Sequence, residues 1–121
     1  MRQKEFRFLS VIVPAYKKEK TIRKDLLKIL KTLERGLSTD YNFEIICVVD
    51  GKLDNTSREA RRIKSNKIKV FSYKRNRGKG YAVRYGMKKA KGDLISFLDA
   101  GMEISPKGIM MLIAHMDWYS A

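Results

Sequence analysis

The chain has 121 residues, 44% of them hydrophobic, which predicts one globular domain and excludes a disordered chain. Its single cysteine excludes an internal disulfide, and the lack of a C-x-x-C pair or a histidine cluster excludes a thiolate or imidazole zinc site. The net charge of +14 predicts attraction to anions such as phosphorylated molecules, acidic lipids or nucleic acid, although a merely solvated basic face explains it as simply.

Four short apolar runs predict β-strands. They are "FLSVIVP" at 8–14, "FEIICVV" at 43–49, "KIKVFSY" at 67–73 and "LISFL" at 94–98. The first, second and fourth are almost continuously apolar, as in strands covered on both faces. The third alternates lysines with apolar residues, which predicts a strand nearer a sheet edge. Cys47 lies in the second run and is predicted to be a buried core residue in a reducing compartment.

Helical patterns separate these runs. Residues 19–37 carry apolar side chains at steps of three and four, and Gly36 stands where a helix C-cap is expected. Residues 56–63 follow a candidate cap at Asn55 or Thr56, residues 79–90 precede Gly92, and Pro106 begins a last helix. Strands alternating with helices predict a single α/β domain over 1–121 with a mostly parallel sheet.

No apolar run approaches the ~20 residues that a membrane-spanning helix needs. The apolar residues after the charged N-terminus end early, at Pro14 and Tyr16, and indicate a strand rather than a signal peptide. We therefore expect a cytoplasmic protein.

Parallel α/β sheets bind ligands outside the carboxyl ends of their strands. The first predicted strand ends at Pro14, Ala15 and Tyr16, and the tyrosine ring is suited to lie beside a base or ribose. Glu19 stands at the entrance of the following helix, where it could equally complement the helix dipole. The second strand ends at Asp50, an acceptor for a base N–H or a ribose hydroxyl, and Gly51 permits a tight turn.

The loop after the third strand, "KRNRGKG", has glycines flanking a lysine just before a helix. This resembles a phosphate cradle, but the spacing matches neither the Walker A nor the G-x-G-x-x-G motif. For Asp54, after the second strand, we favour a role in capping the next helix.

The fourth strand ends at Asp99, and Glu103 follows. Such acids are hard ligands for Mg²⁺ or Mn²⁺ beside a diphosphate, provided that the chain curls at Gly101. The alternative is that the acids are ordinary polar residues at the point where the chain leaves the core.

Taken in order, "SVIVPAY", "EIICVVDGKLDNT" and "NRGKGYAVRYGMKKAKGDLISFLDAG" resemble the family 2 glycosyltransferases, in particular the dolichyl- and other polyprenyl-phosphate sugar transferases. The resemblance implies a three-layer, Rossmann-like GT-A fold and transfer of a sugar from a GDP- or UDP-sugar to a polyprenyl phosphate. The basic surface would suit peripheral recruitment to an anionic membrane.

The resemblance also assigns roles to individual residues. The nucleoside pocket would be lined by Pro14, Ala15, Tyr16 and Glu19, and Asp50 would bind the base. The loop that closes over the nucleotide would carry Arg75, Gly78, Lys79 and Gly80. Asp99 would open a D-x-D motif that holds the metal and the sugar diphosphate. Gly101 replaces the second acid of that motif, so Glu103 is the candidate second metal ligand. Lys17 and Lys18 also depart from the family pattern, in which Asn and Glu follow the tyrosine. We hypothesise that Arg75, Arg77 and Lys79 supply part of the diphosphate neutralisation.

The family's acceptor half begins about where this sequence stops, so we expect a donor-binding part, and the alternative is a catalytically inactive nucleotide-binding module. No catalytic base is evident, since His115 is expected to be a partly exposed helical residue. An incompletely covered last helix would favour a homo-oligomer. Specific nucleic-acid binding is not expected, because neither aromatic-studded strands nor a helix-turn-helix pattern is present.

Overall fold

The computed structural model describes residues 7–37 and 41–99. Along these residues strands and helices alternate: β1 (Arg7–Ala15), α1 (Ile22–Gly36), β2 (Tyr41–Asp50), α2 (Thr56–Arg61), β3 (Ile68–Tyr73), α3 (Lys79–Lys89) and β4 (Leu94–Phe97). The predicted alternation is confirmed. The predicted helix beginning at Pro106, together with Gly101, Glu103 and His115, lies outside the described residues.

The strands form one parallel sheet in the order β3-β2-β1-β4. The central strands β1 and β2 are buried along most of their length, as their continuous apolar runs predict. Strand β3 lies at one edge of the described sheet, which confirms the expectation drawn from its alternating lysines. Strand β4 lies at the other edge, where Phe97 is 54% exposed. The prediction that β4 is covered on both faces is therefore wrong at this end of the strand, since an edge position leaves it less enclosed.

Helices cover both faces of the sheet. Val11, Ile45 and Cys47 face a core that includes Leu26 and Ile29 of α1, and Ala60 of α2 belongs to the same cluster. Alternate residues of the same strands point to the opposite face, where Ile12, Ile46 and Val48 pack with Ala82 of α3. The predicted three-layer arrangement is confirmed. Burial raises the pKa of the Cys47 thiol to about 12, as expected for a core cysteine.

Helix ends differ from the sequence predictions by a few residues. Helix α1 begins at Ile22 rather than at 19, and Gly36 is its last residue rather than its cap. Leu37 is extended (φ −80°, ψ 140°), and its N–H bonds to the carbonyl of Leu33. No left-handed residue is needed at this end, so the prediction of a glycine C-cap is wrong. Helices α2 and α3 end before their predicted limits, at Arg61 and Lys89.

A buried carboxylate ties the amino-terminal edge of the sheet together. Glu44 of β2 is 1% exposed and accepts hydrogen bonds from Ser10 Oγ (2.6 Å), Lys69 Nζ (2.7 Å) and the Lys91 N–H (2.8 Å). Burial raises the pKa of Glu44, but these three donors outweigh that effect and the net pKa is lowered. The carboxylate thus links β1, β2, β3 and the α3–β4 connection. In the part of the chain that the structure describes, no helix is long and apolar enough to span a bilayer.

Candidate functional site

An open pocket of about 500 Å³ lies where the strands end. Pro14 and Ala15 end β1 and Tyr16 follows it, Asp50 ends β2, and Asp99 follows β4. Its remaining lining residues are Lys18, Asn76, Gly78 and Lys79. The volume falls within the range of ligand pockets, and the position is where parallel sheets bind ligands.

Most of the site residues predicted from the sequence meet here. Pro14, Ala15, Tyr16, Asp50, Gly78, Lys79 and Asp99 all line the pocket. Arg75, Gly80 and Glu19 do not; Glu19 borders a second cavity of about 280 Å³ near the start of α1. The nucleotide-binding roles of all these residues stay predictions. Lys18 and Asn76 also line the main pocket, although no binding role was predicted for either; Asn76 lies just beyond the carboxyl end of the third strand, where ligands are expected.

Asp50 is the most enclosed polar group of the pocket, with 3% of its surface exposed. Its Oδ1 accepts hydrogen bonds from Tyr73 Oη (2.7 Å) and the Arg77 N–H (2.8 Å). Its Oδ2 accepts from Asn76 Nδ2 (2.8 Å) and the Gly78 N–H (3.0 Å). Burial, followed by the bond to Asp50, raises the pKa of Tyr73 above its ordinary range. The end of β2 is therefore bonded to the loop that precedes α3.

Gly51 allows that loop to approach β2 closely. Its φ is 100°, and a Cβ atom at this position would lie 2.9 Å from the backbone nitrogen of Asn76. A side chain is thus disfavoured by both the backbone conformation and the available space. The predicted use of a glycine at this turn is confirmed.

Lys79 and Asp99 form an ion pair across the pocket, with Nζ 2.5 Å from Oδ2. Both side chains are partly exposed, at 55% and 32%, and remain open to solvent and ligand. Lys79 is also the first residue of α3, at the positive end of the helix dipole. Unpaired N–H groups at such a helix start, together with a lysine, favour binding of phosphate oxygens.

The described residues do not by themselves make a complete metal site. Within 7–37 and 41–99, no cluster of three or more His, Cys, Asp or Glu side chains is placed to hold a metal ion. Asp99 offers the hard oxygen that Mg²⁺ or Mn²⁺ prefers, but its Oδ2 already bonds to Lys79. The second proposed ligand, Glu103, lies outside the described residues.

Asp54 supports the neighbouring loop. Its Oδ1 accepts from the Thr56 N–H (3.0 Å) and Thr56 Oγ1 (2.5 Å), and that hydroxyl in turn accepts from the Lys18 N–H (2.8 Å). Partial burial raises the pKa of Asp54, but the hydrogen bonds from Thr56 outweigh it and the net pKa is lowered. The predicted capping role of Asp54 is confirmed, although Asn55 occupies the N-cap position itself without a side-chain bond.

A parallel three-layer α/β fold with a pocket at its carboxyl edge, where the start of a helix carries Lys79, is suited to nucleotides and related phosphates. Comparison with known proteins specifies the family. Residues 10–121 match the model of Glycosyl transferase family 2, and the chain belongs to that family.

Similar proteins include a mouse dolichyl-phosphate beta-glucosyltransferase, 39% identical over 98 residues, with 76% of this chain and 30% of the mouse protein covered. An undecaprenyl-phosphate 4-deoxy-4-formamido-L-arabinose transferase of Proteus mirabilis is 31% identical, covering 88% of this chain and 32% of its own length. The chain therefore spans about a third of these relatives.

Solved structures agree with the predicted GT-A fold. The crystal structure of S. aureus TarS 1-349 has a TM-score of 0.72 and 27% identity, covering 93% of this chain and 33% of that chain. The same protein in complex with UDP-GlcNAc has a TM-score of 0.66 and 26% identity, covering 93% of this chain and 32% of that chain.

Proposed function

We propose that the chain is the donor-binding part of an inverting glycosyltransferase that transfers a sugar from a UDP- or GDP-sugar to a polyprenyl phosphate. The observation that carries the donor assignment is the pocket itself. It brings the aromatic ring of Tyr16 and the start of α3, with Lys79, to the carboxyl edge of the sheet. The ring would lie against the base or ribose, and the helix start would face the diphosphate.

The relatives support both substrates. The names of the mouse and Proteus proteins specify dolichyl phosphate and undecaprenyl phosphate. The TarS complex holds UDP-GlcNAc, which makes a uridine nucleotide the first donor to test. Because this chain covers about a third of its relatives, acceptor binding and transfer are proposed for the whole protein.

The proposed reaction is a displacement at the anomeric carbon of the sugar. An oxygen of the polyprenyl phosphate forms the new bond to that carbon, while the bond from the carbon to the nucleoside diphosphate breaks. A phosphate monoester is largely ionised at pH 7, since its second pKa is about 6, so the nucleophile needs no side chain to deprotonate it. The protein's principal task is then to stabilise the charge on the departing diphosphate.

Cationic groups beside the pocket suit that task. Lys79 and the start of α3 would contact the diphosphate, and Arg75 and Arg77 on the preceding loop would add permanent positive charge. We further propose that Asp99, with Glu103, holds Mg²⁺ or Mn²⁺. Such an ion would neutralise diphosphate charge when bound.

Calorimetric titration of UDP and GDP, each with and without Mn²⁺, tests the donor site. We expect one nucleotide to bind in a Mn²⁺-enhanced manner and Asp99→Ala to remove the enhancement. Asp93→Ala is the control, because Asp93 bonds to the Phe8 N–H at the opposite sheet edge. Binding of neither nucleotide under any condition would reject the proposal, and metal-independent binding would reject the metal while keeping the donor site.

The second candidate is a nucleotide-binding module without transfer activity. Two features favour this candidate: Asp99 is paired with Lys79, and position 101 is a glycine. Both reduce the number of carboxylate oxygens available to a metal ion. Nucleotide binding by the whole protein without sugar transfer to a polyprenyl phosphate would support this candidate over the enzyme.

A further inference from the structure

We infer that Asp50 is a positioning residue of the nucleotide site. It holds the loop at 76–78 so that the start of α3 faces the phosphates, and it does not contact the base. The inference rests on the proposed donor site and assigns a different role from the base contact that the family resemblance implies.

The hydrogen-bonding capacity of Asp50 is already filled. A carboxylate offers about four lone-pair positions, two on each oxygen. Tyr73 Oη and the Arg77 N–H take those on Oδ1, and Asn76 Nδ2 and the Gly78 N–H take those on Oδ2. A base N–H could bind Asp50 only by displacing one of these donors from a group that is 3% exposed.

The donors fix the part of the loop that faces the pocket. Two of them are consecutive backbone N–H groups, and the second belongs to Gly78, the N-cap residue of α3. Lys79, the next residue, lines the pocket and reaches Asp99. Asp50 therefore determines where the helix start and its lysine lie, and this position determines how well a diphosphate is bound.

Replacement of Asp50 by asparagine isolates this role. The amide keeps the size of the carboxylate but has one accepting oxygen and one donating nitrogen. The Tyr73 hydroxyl and the Asn76 amide can each reorient to accept a hydrogen bond, whereas a backbone N–H cannot. In either orientation of the new amide, the N–H of Arg77 or Gly78 loses its acceptor.

The test compares ligands that probe the two halves of the pocket. Pyrophosphate probes the phosphate side, uridine or guanosine probes the base side, and UDP or GDP probes both. For Asp50→Asn we expect affinity for pyrophosphate and the nucleoside diphosphate to fall about tenfold, with nucleoside affinity unchanged. Lost nucleoside affinity with unchanged pyrophosphate affinity would overturn the inference, because it would mean that Asp50 contacts the base.

Amide hydrogen exchange without ligand supplies an independent readout. We expect the N–H groups of Arg77 and Gly78 to exchange faster in Asp50→Asn while amides of β1 and β2 keep their protection; unchanged exchange at both loop amides would contradict the inference. If the wild-type chain binds no nucleotide, the proposed function fails, but this measurement still decides whether Asp50 holds the loop.

Two further variants guard against loss of folding. Tyr73→Phe removes one side-chain donor to Asp50 and leaves both backbone bonds. It should therefore weaken pyrophosphate binding less than the double substitution of Tyr73→Phe with Asn76→Ala. The single exposed substitution Asp93→Asn is the matched control and should change neither ligand affinity nor loop exchange. Equal binding by wild type and the double variant would count against the inference.

Discussion

Asp50 and Asp99 both follow a strand at the same sheet edge, yet their surroundings suit different tasks. Asp50 is enclosed and accepts four hydrogen bonds through its side chain, so removing it would leave buried donors without partners. Asp99 is partly exposed and paired with one lysine, and an exposed ion pair of this kind contributes little to stability. Asp99 is therefore the acid that a ligand or cation can reach at low cost.

Gly86 provides a test of packing at a single residue. A Cβ atom there would lie 2.6 Å from Cγ2 of the buried Ile12, so Gly86 sets how closely α3 approaches the sheet. We expect Gly86→Ala to lower the free energy of unfolding by about 1–3 kcal/mol through overpacking, as measured by urea denaturation.

Gly80 in the same helix is the matched control. A Cβ atom at this position would come no closer than 3.5 Å to the side chain of Arg84. Gly80→Ala should keep or raise the free energy of unfolding, by up to about 1 kcal/mol, because alanine restricts the unfolded chain. An equal loss of stability in both variants would show that contact with Ile12 is not its cause, because only Gly86 lies against Ile12.

At the scale of elements, β2 carries an acid near each end with a distinct connecting role. Glu44 binds β1, β3 and the residues after α3 at the amino-terminal edge. Asp50 binds the residues before α3 at the carboxyl edge. Since α3 lies between these two connections, β2 fixes the helix at both ends. A substitution at Asp50 therefore leaves the Glu44 contacts at the other end of α3 in place.

The pH dependence of stability tests the Glu44 anchor. Its pKa in the folded protein is lowered from the ordinary value of 4.5, so the folded state favours the ionised form. Its contribution is fully present above about pH 4.5 and is lost as the pH falls through the lower folded pKa. We expect the free energy of unfolding to decrease below pH 4.5, and Glu44→Gln to make that decrease shallower.

Urea denaturation between pH 3 and pH 7 measures this dependence. Glu44→Gln should also be less stable than wild type at pH 7, because its amide nitrogen cannot accept from Lys69, Ser10 or Lys91. The exposed Glu34→Gln serves as the control. If the free energy of unfolding of Glu44→Gln falls with pH as steeply as that of the wild type, Glu44 is not the source of the pH dependence.

The distribution of charge matters at the scale of the whole molecule. Residues 74–91, which comprise the pocket loop and α3, include eight lysines and arginines and no acid. Arg84, Lys88 and Lys91 are exposed on this segment. If the acceptor is a lipid phosphate, as proposed, a basic segment that begins at the pocket would hold the pocket near an anionic bilayer.

Cosedimentation with vesicles containing phosphatidylserine tests this prediction. We expect the triple substitution Arg84→Gln, Lys88→Gln and Lys91→Gln to weaken vesicle binding, by up to about 1 kcal/mol per residue, with greater loss at low salt. The control is an equal charge change on α1, at the exposed Lys24, Lys28 and Lys31. Equal effects of the two triple variants would indicate a general response to net charge and contradict a docking role for α3.

Periodicity and turn residues predicted the strands, the helices and the edge position of β3, because each depends on local side-chain pattern. They also placed seven of the pocket residues correctly, since parallel topology brings strand ends together. Helix limits were less accurate: the end of α1 depends on the bond from Leu37 to Leu33, which no residue type signals. No binding role was predicted for Lys18 or Asn76, because their position in the pocket depends on how two loops fold.

The sequence alone determined the α/β class, the family and the strand ends that line the pocket, because these follow from hydrophobic spacing and motifs read in order. Only the tertiary structure decided how each acid is used. Glu44 and Asp50 are buried because donors distant in sequence, among them Lys69, Lys91 and Gly78, converge on their oxygens. A carboxylate's surroundings are set by such distant contacts, so its role as a structural acceptor or a ligand-accessible group is a property of the folded chain.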